Sequence, residues 1–196
     1  LLTIVVCWVC LAIAHSMPAF LLQSMDFWFE ADTVREVSNM TSVHDDHSRT
    51  SVHPLFSILT FTPVYLLKQS LSIHSTQAVL LMTGIIGGLW TATLYLLLRL
   101  LGCRRLDAIV FTALGLSSAS AIFWLPVPNS YSWGSLSIFR SLGPRLFAEQ
   151  RPFSPGLYVI ASALTLSVTV TNWMAGLLVT LARWPWKQAV QLSINA

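Results

Sequence analysis

Between Gln77 and Leu98 no residue carries a charge, and the only polar groups are hydroxyls, one amide and one indole. A run of that length matches the roughly 20 apolar residues that an α-helix needs to cross a hydrocarbon layer. In such a layer each backbone N–H and C=O must find its partner within the segment, which leaves helices and closed barrels as the permitted folds. The run is not isolated. Residues 1–22 carry only His15 as an ionisable group, and residues 108–128 and 157–182 are again apolar. These four stretches predict spans over about 1–22, 77–98, 108–128 and 157–182. A shorter run, His53–Leu67, holds Pro54 and Pro63 and reads as a short span or re-entrant helix. The expected fold class is an all-α, polytopic transmembrane bundle. Composition agrees, because charged residues make up 10 % of the chain against roughly 25 % in soluble domains. The chain starts at Leu1 and stops after an apolar segment, which reads as an N-terminal region of a longer protein.

The polar remainder is unevenly placed. Six of the eight acidic residues lie between Asp26 and Asp46, inside a loop over residues 23–52, and His44, His47 and His53 fall in or just after that stretch. The net charge of +3 calls for no nucleic acid. Lys and Arg beside membrane spans mark the cytoplasmic side or contact lipid headgroups. With His53–Leu67 not crossing, Arg104 and the RWPWK segment at Arg183–Lys187 share the cytoplasmic side. Asp32 and Asn129 then share the extracytoplasmic one. The arginines at 140, 145 and 151 count against this arrangement.

Several groups could carry chemistry. Asp32 and Arg35 stand one helical turn apart, the spacing of an i,i+3 ion pair, and Asp32 is a candidate general base. The HDDH run at His44–His47 has metal-binding residue types but no standard zinc spacing, so no metal site is assigned. Small residues in Gly84–Gly88 predict close approach of another helix. Asn172 and Trp173 interrupt the last apolar stretch, where a buried amide bonds a neighbouring helix more often than a substrate.

The order of motifs resembles the GT-C superfamily of integral membrane glycosyltransferases, above all the protein O-mannosyltransferases and aminoarabinose transferases. The chain offers EAD ending at Asp32, then His53-Pro54-Leu55, then RLLGCRR at Arg99–Arg105, then PNSYSWG at Pro128–Gly134. The resemblance implies a GT-C-like bundle, with short interfacial helices in the extracytoplasmic loop. It implies transfer of a sugar from a polyprenyl-phosphate donor to an acceptor hydroxyl at the membrane face. Asp32 would be the base. Arg35, Arg49 or the arginines at 140–151 would hold the phosphate, and His53, Asn129 and Tyr131 would join the substrate-binding set. The implied partners are membrane lipid and the lipid-linked donor; no cofactor is assigned, and a divalent cation stays open. The chain departs from the family at Asn129, where relatives commonly place an acid. An amide there can orient a hydroxyl but cannot act as a base. A transporter or flippase and a non-catalytic scaffold are the competing classes. Against transport, no span carries Asp, Glu, Lys or Arg well inside its apolar core.

Overall fold

The computed structural model describes residues 2–16, 32–44, 52–147 and 155–195, and every regular element among them is helical. The all-α class is therefore observed. In chain order the helices are α1 (Leu2–Ser16), α2 (Thr33–Thr41), α3 (Phe56–Leu71), α4 (Ser75–Leu100), α5 (Arg105–Leu116), α6 (Ala119–Trp124) and α7 (Ser130–Phe147). Then follow α8 (Pro155–Val168), a 3₁₀ turn at Val170–Asn172, α9 (Trp173–Leu181) and α10 (Trp186–Ile194).

The axis of the molecule is α4. It carries the uncharged run in a helix of 26 residues with Arg99 in its last turn, about 39 Å at 1.5 Å per residue. Among the described residues it alone is long and apolar enough to cross a membrane as a single helix. Its glycines do what their spacing predicts. Gly84, Gly87 and Gly88 face α1 so closely that a Cβ at Gly84 would lie 2.5 Å from Leu11 Cγ, and one at Gly87 2.8 Å from Cys10 Sγ. Gly84 meets Leu11 and Cys7, whereas Gly88 meets Cys7 and Thr3. The two helices therefore run antiparallel, and Ser75 shares an end with the C-terminus of α1.

α3 begins just after His53-Pro54-Leu55 and runs past Leu67 to Leu71. A left-handed Ser72 (φ 52°) then turns the chain into α4, and the Gln77 side chain accepts a hydrogen bond from the His74 N–H (3.1 Å). α2 lies within the acidic loop and packs on α3 and α4. It buries Thr33, Glu36 and Met40, one stripe at helical spacing.

Two of the expected spans are not continuous. The stretch 108–128 breaks at Ser117–Ser118, where the Ser118 hydroxyl caps α6 by accepting the Ala121 N–H (3.3 Å). Serine competes with the ladder in this way because its hydroxyl can satisfy the free N–H groups of a new helix start. Leu125, after α6, then lies beside Gly87, near the midpoint of α4.

The stretch 157–182 folds back on itself. A Cβ at Gly176 in α9 would lie 2.6 Å from Ser162 Oγ and 2.9 Å from Ser162 Cα in α8. Along one straight helix those residues would stand about 21 Å apart, so α8 and α9 form an antiparallel hairpin with Thr169 at its tip. The cause is local. Thr169, Thr171 and Asn172 interrupt the apolar sequence, and Thr169 adopts an extended backbone (φ −153°, ψ 131°).

Candidate functional site

A broken helix exposes carbonyls and N–H groups that need partners, and here the segment opening α3 supplies them. The Leu55 N–H donates to Ser167 O (2.9 Å), and the Val170 N–H donates to Val52 O (3.0 Å). His53 Nδ1 lies 2.9 Å from Val168 O and 3.1 Å from Thr169 Oγ1. A carbonyl only accepts, so its contact assigns the proton of a neutral His53 ring to Nδ1 and leaves the lone pair on Nε2. The hairpin tip thus fixes the tautomer and orientation of His53.

The PNSYSWG segment reaches the same place. A Cβ at Gly134 would lie 2.8 Å from Asn172 Nδ2 and 3.8 Å from Thr169 Oγ1. Trp133 meets Phe56 edge-on at 6.4 Å, and Phe56 in turn lies against the His53 ring at 6.1 Å. The HPL turn, the start of α7 and the hairpin tip therefore converge, although they lie far apart in sequence.

α2 adds charge to this junction. Arg35 Nη2 lies 2.5 Å from Asp32 Oδ2 and 3.4 Å from Glu36 Oε1. Asp32 occupies the N-cap position of α2, and its carbonyl accepts the Glu36 N–H (2.9 Å). The i,i+3 pair predicted from sequence is formed. Glu36 was not predicted as part of it. Its residue is 3 % exposed, and Oε2 has no hydrogen-bond partner. Burial raises its proton affinity above the ordinary glutamate range; Arg35 and His53 oppose that shift without cancelling it, and Asp32 adds to it. Arg35 Nε is buried nearby and likewise unpartnered.

Asn129 has another task. Its Nδ2 donates to Trp124 O (2.7 Å) and Val127 O (2.6 Å), and its Oδ1 accepts the Ser132 N–H (2.9 Å). It is a buried cap that closes the turn into α7, and both amide hydrogens are engaged inside that turn. These bonds give Asn129 a structural role in the turn. Tyr131 is 62 % exposed, tilted against Trp124 at 5.1 Å, and edges a cavity of about 150 Å³ between α4, α6 and α7. Arg140 is exposed and edges a separate cavity of about 140 Å³ against α8. Arg49 and most of the HDDH run lie outside the described residues. His44 is exposed at the rim of a cavity of about 280 Å³ that Lys68 and Tyr65 also line. Among the described residues no three His, Cys, Asp or Glu side chains gather as a metal site.

The fold and site thus define an all-helical, apolar bundle with a carboxylate–guanidinium cluster beside a discontinuous hairpin. No family model, curated protein or solved structure matches this chain.

Proposed function

We propose that this protein is a multi-pass membrane glycosyltransferase that moves a sugar from a polyprenyl-phosphate donor to an acceptor hydroxyl at the membrane face. The observation that carries the reading is the Asp32–Arg35 contact, placed on a short helix against the apolar helices α3 and α4. A polyprenyl donor keeps its tail in the bilayer and its phosphate at headgroup level. Transfer there needs a base for the acceptor and a cation for the departing phosphate. Asp32 takes the acceptor's hydroxyl proton as its oxygen bonds to the anomeric carbon. The bond from that carbon to the phosphate oxygen breaks, and the electron pair leaves on the phosphate. Arg35 meets that charge. The donor's phosphate competes with Asp32 for the guanidinium, so seating the donor releases the carboxylate for its task.

The test is transfer from a labelled polyprenyl-phosphate sugar, normalised to membrane content. Asp32→Asn keeps the shape of the side chain and removes the base, so the rate should fall roughly 10²–10⁴-fold. Asp45→Asn and Asp46→Asn should cost far less. Near-parental transfer by Asp32→Asn removes Asp32 from the role.

A transporter or flippase is the second reading, favoured by the hairpin tip. Helices broken inside an apolar bundle, with their free backbone groups gathered at one point, are how many transporters build a binding site. Movement of a lipid-linked sugar across a vesicle bilayer, with no transfer to any acceptor, would put this reading first.

A further inference from the structure

One guanidinium serves two carboxylates here. The same nitrogen, Arg35 Nη2, contacts Asp32 Oδ2 at 2.5 Å and Glu36 Oε1 at 3.4 Å. With both carboxylates ionised the cluster carries one net negative charge, an unfavourable seat for a second anion. With a proton on Glu36 it is neutral, and Arg35 can turn toward a phosphate without leaving a buried charge uncompensated.

The geometry strengthens the hold of Glu36 on a proton. Glu36 is 3 % exposed, and its Oε2 receives no hydrogen bond. A buried carboxylate oxygen without a donor is among the costlier arrangements a protein can hold. Among the described residues, the titratable and charged groups that act on it are Asp32 and Arg35 from α2 and His53 from the turn before α3. His53 is held by the contact of its Nδ1 with the Val168 carbonyl (2.9 Å), and it acts on Glu36 against the effect of burial.

We infer that phosphodiester binding at Arg35 is coupled to a proton held by Glu36, which makes Glu36 a positioning residue that keeps Arg35 available for the donor. The inference rests on the donor class proposed above. An arriving phosphodiester brings negative charge toward Glu36 and strengthens its hold on the proton. Binding therefore takes up a proton wherever Glu36 is partly ionised beforehand. Affinity should weaken as pH rises through that range, by up to about tenfold per pH unit for one linked proton.

The experiment is titration calorimetry of the full chain in lipid nanodiscs with a polyprenyl-phosphate sugar and no acceptor, between pH 5 and 8. Paired buffers of different ionisation heat count the protons exchanged. A phosphodiester has no proton of its own to exchange in that range. The parent should take up a fraction of a proton per ligand, with weaker binding at higher pH. Glu36→Gln should bind with no uptake and a flat pH profile. Glu36→Asp, which keeps a carboxyl in the cluster, should retain uptake with a shifted midpoint, and it serves if Glu36→Gln does not fold. His53→Gln should retain uptake. Binding without uptake in the parent, uptake that survives Glu36→Gln, or uptake lost only in His53→Gln each overturns the inference and leaves the proposed reaction standing. Absence of any binding by the folded parent overturns both.

Discussion

At Asn129 the amide uses both of its chemical faces. Nδ2 donates to Trp124 O and Val127 O, while Oδ1 accepts the Ser132 N–H. A carboxylate at this position keeps the acceptor and loses both donors, leaving two carbonyls facing negative charge. Asn129→Asp should therefore lower stability by about 2–4 kcal/mol through buried hydrogen bonds left unmade. Asn129→Ser, which keeps the cap acceptor without placing a charge there, should cost less. Thermal unfolding in detergent orders the two, and a more stable Asn129→Asp would contradict the capping role. Residue-scale chemistry was legible in the sequence where it depends on spacing. Asp32 and Arg35 stand one turn apart and meet, as i,i+3 spacing requires. It was illegible where it depends on burial. Glu36 follows Arg35 directly and reads as one more solvated acid of the loop; only the packing of α2 on α3 and α4 takes it out of water.

Elements were legible to the extent that local sequence controls them. The small residues of Gly84–Gly88 predicted a close partner, and α1 fills that place. The stretch 157–182 has the length and polarity of a span, so hydropathy reads it as one, yet the chain reverses at Thr169. The signals were the polar Thr169, Thr171 and Asn172 at its centre, flanked at equal distances by Ser162 and Gly176. Serine and glycine permit the approach, and the partners that stabilise the break come from residues 52–55, which no local window contains. The hairpin makes a specific prediction. A Cβ at Gly176 would sit 2.9 Å from the Cα of Ser162, so backbone must move rather than a flexible side-chain tip. Gly176→Ala should cost about 1–3 kcal/mol by overpacking. Gly143, inside α7, has nothing within 4 Å of its Cβ position, and Gly143→Ala should be neutral or stabilising by up to about 1 kcal/mol. Unfolding midpoints of the two variants test the hairpin; equal effects would remove it.

For the whole molecule, the hairpin changes where the arginines fall. Its tip meets Gly134, while Leu157, Ile160 and Leu164 of α8 share a cavity wall with Ser137 and Arg140 of α7. Moving along α7 from Gly134 to Ser141 thus leads from the closed end of the hairpin toward its open end. Relative to α4, the chain lies at Gly87 with Leu125 and reaches Trp90 through Ser135 (2.8 Å, indole donating) and Phe139 (5.2 Å between rings). We predict that α7 runs on from Trp90 toward the Leu100 end of α4. Arg140, Arg183 and Lys187 would then join Arg99, Arg104 and Arg105 at one end, opposite the acidic loop. Arg140 would then no longer oppose the basic-residue rule, and the rule would place this end in the cytoplasm. Single cysteines at 45, 104, 140 and 187, in a background with Cys7, Cys10 and Cys103 replaced, decide the matter. Membrane-impermeant labelling of intact cells should reach position 45 alone, and positions 104, 140 and 187 should react together once the membrane is opened. Labelling at 140 from outside, with 104 protected, would mean that α7 runs the other way and that Arg140 stands on the side of Asp32. It would then return as a candidate to hold the donor's phosphate.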